Sequence, residues 1–219
     1  MSPFHQHAQD ALKELIDGNR RFLAGQLHKD PVASTDRLWM LSRQGQKPFA
    51  IILTCSDSRI PVELLFDQDV GDLFVVRVAG NVLAPSVLAS IEFAALKFGT
   101  PLVVVMGHSD CGAVQAAVDA QVHQNEAPSP AIERLLTFLK PATEAAIHAH
   151  PYLPASELIY PTCVENISHV CQQIASQSEV LSRLIQEDRF EVIGAMFELS
   201  SGKVNFGVGR AITGKGVRS

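Results

Sequence analysis

Two short segments of the sequence carry residue types that can bind a metal ion. The first contains Cys55, Asp57 and Arg59, and the second contains His108 and Cys111. Two thiolates and one imidazole form a ligand set that zinc prefers, and three protein ligands leave a fourth tetrahedral position. The nearby candidate for that position is Asp57, whose carboxylate is exchangeable. These residue types therefore favour a catalytic over a structural zinc site.

Each segment alone is a weak signal. The pair His108 and Cys111 is a short match, and a cysteine at the end of a strand is more often simply buried. Together the segments lie at the ends of two predicted strands, and Asp57 and Arg59 are two residues apart. This combination favours metal binding over core packing.

The remaining cysteines, Cys163 and Cys171, have His169 between them and could hold a second metal ion. They lack the tight spacing of a zinc knuckle, and we interpret them as buried residues of a helix. Four cysteines in 219 residues are too few and too scattered for a disulfide scaffold, which is typical of a protein in a reducing compartment.

Three apolar runs have the composition of strands that are buried on both faces. Residues 49–53, 73–76 and 102–106 are continuously apolar, without alternation, a pattern typical of parallel sheets. A helical pattern over 85–98 separates the second run from the third, so we predict a right-handed βαβ unit. Ligands of open parallel α/β sheets bind beyond the carboxyl ends of the strands, which is where both metal-binding segments lie.

Segments outside this unit complete the predicted fold. Residues 8–23 have the periodicity of an amphipathic helix, an N-terminal arm whose apolar face we expect to grip a second subunit. Residues 190–199 and 203–208 predict a hairpin of edge strands. We therefore predict a single α/β domain over residues 1–210, with a mainly parallel central sheet, an antiparallel edge strand, flanking helices and the helical arm. Residues 211–219 are predicted to form a flexible tail.

Composition and charge exclude two classes of protein. With 18 Lys and Arg against 23 Asp and Glu the net charge is −5, whereas a nucleic-acid protein needs clustered positive charge. The longest apolar runs are far shorter than the roughly 20 residues of a membrane-spanning helix. The N-terminus has neither the basic flank nor the apolar core of a secretory signal. We expect a cytoplasmic protein, with neither nucleic acid nor a membrane among its partners.

The two metal-binding segments are similar to the signature of an enzyme family. The first reads Cys55-Ser-Asp57-Ser-Arg59 and the second reads Gly107-His108-Ser-x-Cys111-Gly112-Ala113. Together they resemble the beta-class carbonic anhydrases. The resemblance implies reversible hydration of carbon dioxide to bicarbonate and a proton, on one zinc ion per chain held by the two cysteines and the histidine. It also implies a homo-oligomer, either a dimer or a dimer of dimers. Further stretches in family order are 18–22, 46–48, 71–77, 79–81 and 90–92.

The resemblance implies roles for the residues around the metal ion. Asp57 accepts a hydrogen bond from the attacking nucleophile, and it could itself become an alternative fourth ligand. Arg59 pairs with Asp57 and holds it off the metal, a bidentate contact that lysine would make poorly. The backbone N–H of Gly112, at a helix N-terminus, donates to the substrate oxygen. Gln46 matches the family's side-chain amide donor for substrate.

Three further positions refine the expected pocket. Phe74 falls where the family places a pocket aromatic. Phe93 falls where plant members carry a tyrosine that reaches across the dimer interface. The phenylalanine lacks the hydroxyl of that tyrosine and the hydrogen bond that it could make. Ile52 occupies the position at which members regulated by bicarbonate carry a tryptophan, and we expect a constitutively open site.

Two other functions remain open for the sequence. Carbonyl sulfide or carbon disulfide could be hydrolysed on the same scaffold, because pocket width and access, rather than ligand spacing, separate these substrates. A non-catalytic zinc scaffold is disfavoured, because a structural site has no use for the Asp57–Arg59 pair or for an opened fourth position.

Overall fold

The computed structural model describes residues 3–29, 35–209, 211–213 and 216–218. Within these residues a sheet of seven strands forms the centre of the molecule. The strands are β1 (Ala50–Thr54), β2 (Leu73–Arg77), β3 (Leu102–His108), β4 (Glu191–Phe197), β5 (Val204–Phe206), β6 (Ala211–Thr213) and β7 (Gly216–Arg218).

Four neighbouring strands run parallel, in the order β2-β1-β3-β4. Every residue of β1, β3 and β4 is buried, as the continuous apolar runs predict for strands that are covered on both faces. Both β5 and β6 pair antiparallel with β4, and β7 pairs antiparallel with β6. The prediction of a mainly parallel sheet with an antiparallel edge is confirmed.

Helices connect and cover the strands. Between β2 and β3 the chain forms the predicted helix of the βαβ unit, which confirms the α/β class. Of the described helices, none is both long enough and apolar enough to cross a membrane. The helices are α1 (Pro3–Leu23), α2 (Thr35–Gln44), α3 (Val62–Leu65), α4 (Pro85–Phe98), α5 (Gly112–His123), α6 (Pro130–Ala149), α7 (Ala155–Gln177) and α8 (Glu179–Gln186).

The N-terminal helix α1 packs on its own chain. Ala11 and Leu15 are buried in the core of the domain. Gly18 lies so close to the next layer that a Cβ atom would come 1.8 Å from the carbonyl oxygen of Phe66, which leaves no room for a side chain. One apolar face of the arm thus packs on the protein's own core, whereas Ile16 and Leu23 of the same helix are exposed. The expected grip on a second subunit stays a prediction.

The second helix, α2, differs from α1 because none of its residues is buried. The Arg37 side chain ties it to the loop before β2 by donating to the Val70 carbonyl and to Asp72. Its large apolar side chains Leu38 and Trp39 are exposed, Trp39 to 66%. This helix therefore presents apolar surface that a second chain could cover.

The C-terminal residues contain two of the short strands. Residues 211–219, for which the sequence predicts a flexible tail, include β6 and β7. Residues 214, 215 and 219 of that segment lie outside the described residues. The predicted domain boundary at residue 210 therefore falls beside a strand that pairs with β4 through Ile212 and Val192.

Candidate metal centre

The three predicted metal ligands meet at one end of the sheet. Cys55 follows β1, His108 is the last residue of β3, and Cys111 directly precedes α5. Since β1 and β3 are adjacent parallel strands, their carboxyl ends lie side by side. The ligand atoms of the three residues all lie within 4.8 Å of one another, and all three residues are buried. No other group of this kind occurs among the described residues.

The histidine is held in one tautomer. Its Nδ1 atom lies 2.8 Å from the carbonyl oxygen of Ser109. A carbonyl only accepts, so Nδ1 carries the proton and Nε2 is left with its lone pair. Nε2 is buried and has no hydrogen-bond partner in the described part of the chain. Such a buried, unsatisfied nitrogen beside two thiol groups fits a metal ligand.

The two cysteines are electrostatically linked. A hydrogen bond with the Cys111 thiol, with a smaller contribution from the Gly80 N–H, lowers the pKa of Cys55 to about 4. The pKa of Cys111 is raised, because its thiol is hydrogen-bonded to Cys55 and is buried. The pair thus retains one proton between two sulfur atoms. A bound cation is what allows both thiols to ionise in such a site.

Asp57 faces the cluster but is engaged by Arg59. The guanidinium donates to both carboxylate oxygens, from Nε to Oδ1 at 2.9 Å and from Nη2 to Oδ2 at 2.7 Å. This bidentate contact holds the pKa of Asp57 well below its usual range. Oδ2 of Asp57 also lies 4.0 Å from Nε2 of His108. The carboxylate is therefore ionised and adjacent to the metal centre, and Arg59 occupies both of its oxygens.

Arg77, the last residue of β2, braces the loop that carries Cys55 and Asp57. Its Nε atom donates to the carbonyl oxygen of Cys55 at 3.1 Å, and Nη2 donates to the carbonyl of Asp57. Both contacts are to backbone oxygens, so Arg77 fixes the path of the loop and leaves its side chains available.

Comparison with known proteins assigns the chain to a family. A family model described as carbonic anhydrase matches residues 50–204. A carbonic anhydrase of Mycolicibacterium smegmatis is 34% identical over 195 residues, which are 89% of this chain and 90% of that protein. The chain belongs to the carbonic anhydrase family. It is thus an enzyme of a family whose general reaction is the hydration of carbon dioxide.

Solved structures of beta-class carbonic anhydrases share its fold. The beta-carbonic anhydrase CcaA has a TM-score of 0.72 at 24% identity, covering 89% of this chain and 94% of that one. One of two tetrameric beta-carbonic anhydrases from Sordaria macrospora has a TM-score of 0.69 at 20% identity, covering 90% and 96%. These likenesses confirm the beta-class resemblance at the level of the fold.

The predicted pocket residues of this carbonic anhydrase lie around the edge strand β2. Gln46 lines a recess of about 490 Å³ along β2, together with Val75 and Phe98. Phe74 of β2 and Phe93 of α4 lie in one aromatic cluster, with 6.4 Å between their ring centroids. Because β2 is an edge strand that pairs only with β1, these residues lie at the outer edge of the sheet. Their roles in a substrate pocket stay predictions.

Gly112 lies at the N-terminus of α5, and its predicted role toward substrate stays a prediction. It is the first residue of α5, immediately after the ligand Cys111. It is exposed, and no atom lies within 4 Å of the position that a Cβ would take. The first N–H groups of a helix have no partner inside the helix. They are therefore able to donate a hydrogen bond to an oxygen of a small substrate.

Sequence reasoning missed two residues that support the ligands from behind. The N–H of Gly80 donates to the Sγ atom of Cys55 at 3.3 Å. The side chain of Asn166 in turn donates to the carbonyl of Gly80. Gly80 belongs to a stretch noted for its resemblance to the family, whereas Asn166 lies in a region where that resemblance is only weak.

Proposed function

We propose that this carbonic anhydrase catalyses the reversible hydration of carbon dioxide to bicarbonate and a proton, with one zinc ion per chain bound by Cys55, His108 and Cys111. The observation that carries the proposal is the buried cluster of two thiols and one imidazole beside the Asp57–Arg59 pair. Zinc is the proposed metal because thiolate and imidazole ligands in a compact, buried set suit it best.

Three protein ligands would leave one tetrahedral position of the zinc ion open for water. When bound in a site with an open position, zinc lowers the pKa of a coordinated water to about 7 and so supplies a nucleophile near neutral pH. Two thiolates offset the charge of the ion, and this weakens its effect on water relative to three neutral ligands. Hydrogen bonds from the surrounding residues to the thiolates and to the nucleophile are therefore needed in addition.

Asp57 and Arg59 act together in this proposal. Arg59 keeps the Asp57 carboxylate ionised and holds both oxygens, so the carboxylate stays off the metal. From that position Asp57 would accept a hydrogen bond from the nucleophile. This contact would orient a lone pair of the nucleophile toward the carbon atom of carbon dioxide. Gly112 donates its N–H to an oxygen of carbon dioxide or of the bicarbonate formed, which carries negative charge and suits a helix N-terminus.

A second copy of the chain would complete the pocket. Gln46, Phe74 and Phe93 lie at the open outer edge of β2, and Phe93 is 53% exposed. Further apolar side chains are exposed on α2 and α4, among them Trp39 and Leu96. We therefore propose a homodimer, or a dimer of dimers, in which these residues meet the partner's metal centre. The tetrameric relatives from Sordaria macrospora support this proposal.

Replacing Phe93 with alanine should weaken association and carbon dioxide hydration together. A buried aromatic side chain at the centre of an interface contributes about 2 kcal/mol or more to binding. Its loss raises the dimer dissociation constant roughly 30-fold. Analytical ultracentrifugation and stopped-flow assays over a dilution series measure both effects. Tyr152→Ala is the control, since Tyr152 is an aromatic residue that is 96% exposed and lies between α6 and α7. A Phe93→Ala protein that stays dimeric and fully active would show that the pocket is not shared.

A stopped-flow assay with a pH indicator tests the reaction itself. The zinc-loaded protein should release protons rapidly on mixing with carbon dioxide, and more slowly or not at all with carbonyl sulfide or carbon disulfide. Faster turnover of either sulfur compound would establish the alternative, a hydrolase on the same scaffold. Zinc binding without turnover of any of the three substrates would establish a non-catalytic scaffold.

A cytoplasmic location is part of the same proposal. All four cysteines are free and buried, which suits a reducing compartment. Two of them are the proposed ligands, so a reducing environment would also keep the metal centre intact.

A further inference from the structure

Asn166 is a buried polar side chain outside the ligand set. It lies on α7, which packs against β3 and β4, and it is 1% exposed. Its Nδ2 atom donates to the carbonyl oxygen of Gly80 at 2.9 Å. Its Oδ1 atom is buried and has no hydrogen-bond partner within the described residues. A buried amide with one half unsatisfied costs stability, so packing alone does not account for asparagine at this position.

Gly80 connects Asn166 to the metal centre. Its carbonyl accepts from Asn166, and its N–H donates to Sγ of Cys55 at 3.3 Å. The residue has a φ of +68°, in the left-handed region that favours glycine. A Cβ atom there would lie 3.2 Å from Leu139 and 3.3 Å from Ala113. The turn is thus confined on one side by packing, and Asn166 fixes the direction of its carbonyl.

The N–H of Gly80 changes the chemistry of the thiolate it contacts. A hydrogen bond to a metal-bound sulfur withdraws negative charge from it, and contacts of this kind tune metal sites. In a site with two thiolates this withdrawal matters more, because the thiolates otherwise offset the charge on the ion. A small rotation of the 79–81 turn would move the N–H away from the sulfur and remove the effect.

We propose that Asn166 is a positioning residue of the metal centre, which acts through the Gly80 turn to hold an N–H against the thiolate of Cys55. The inference rests on the proposed zinc site. It adds a residue of α7, far from the two ligand segments in sequence, to the groups that set the properties of the metal.

The test compares two substitutions one helical turn apart on α7. Asn166→Leu removes the amide at similar size. Thr162→Val is the matched control, because the Thr162 hydroxyl is buried and donates within the helix, to the carbonyl of Leu158. In Asn166→Leu the zinc affinity, measured by competition with a chromogenic chelator, should fall about 10–100-fold. In the cobalt-substituted protein the sulfur-to-metal charge-transfer band should move to longer wavelength. Thr162→Val should leave both quantities unchanged.

Equal behaviour of the two variants in both measurements would overturn the proposal while leaving the zinc site intact. A wild-type protein that binds no zinc would instead overturn the proposed function, and this inference with it. If Asn166→Leu does not fold, amide hydrogen exchange in the zinc-loaded wild type decides the question. The Gly80 amide should be strongly protected, and rapid exchange at Gly80 would exclude the hydrogen bond to Cys55.

Discussion

Replacing Cys111 with serine should release most of the zinc and abolish carbon dioxide hydration. The substitution removes one of three protein ligands, and a serine hydroxyl does not ionise near neutral pH as a metal-bound thiol does. We expect the loss of zinc affinity to exceed the 10–100-fold that changes around the ligands cost. Metal analysis after gel filtration and the stopped-flow assay measure the two effects.

Cys171→Ser is the matched control for this experiment. Cys171 is as buried as Cys111 but lies within α7, in the hydrophobic core. The Cys171→Ser protein should retain its zinc and its activity and lose only stability. Cys163 is a less suitable control, because the Cys111 backbone lies against its thiol. A Cys111→Ser protein with one zinc ion per chain would contradict the ligand assignment.

Replacing Arg59 with alanine should let Asp57 bind the metal and close the fourth position. Arg59 contacts both oxygens of Asp57, and the carboxylate lies within 4.0 Å of a ligand nitrogen. Without the guanidinium, the nearest cation for the carboxylate is the metal ion itself. Activity should fall about 10–100-fold. The loss should be largest at neutral pH and smaller at alkaline pH, where hydroxide competes better with a carboxylate ligand. A pH profile of hydration measures this dependence.

A crystal structure of zinc-loaded Arg59→Ala near neutral pH gives the direct readout. Asp57 should lie within ligand distance of the metal in the variant but not in the wild type. Arg20→Ala is the control, since Arg20 is an exposed arginine that pairs with Asp17 on the surface of α1. If Asp57 stays off the metal in Arg59→Ala, Arg59 is only a brace for the loop.

The parallel core of the fold could be predicted because its strands are buried on both faces. A strand of this kind has no polar side, so the runs that became β1 and β3 stand out in the sequence without any alternation. The packing of α1 could not be predicted in the same way. Its amphipathic pattern shows that one face is covered, but the contact of Gly18 with the Phe66 carbonyl, which fixes the covering partner, depends on tertiary structure.

The ligands of the candidate site could be predicted because reactive residues follow two neighbouring strands. Their supports could not, since the Gly80 turn depends on a left-handed φ and on an amide from a helix distant in sequence. The substrate-pocket residues stay predictions for a related reason. Gln46 and Phe93 lie at the outer edge of β2, and their proposed approach to a metal centre depends on a second copy of the chain.

The pairing of β1 with β3 links the assembly of the sheet to the metal content of the protein. Cys55 and His108 become neighbours only when these two strands are in register, with Thr54 opposite Met106. An unfolded chain therefore offers no preformed site, and zinc that binds the folded state alone adds its binding free energy to stability, in proportion to the logarithm of free zinc. With zinc bound as proposed, the folded fraction of this protein would report zinc supply, and a shortage of the metal would lower the amount of folded protein as well as its catalysis.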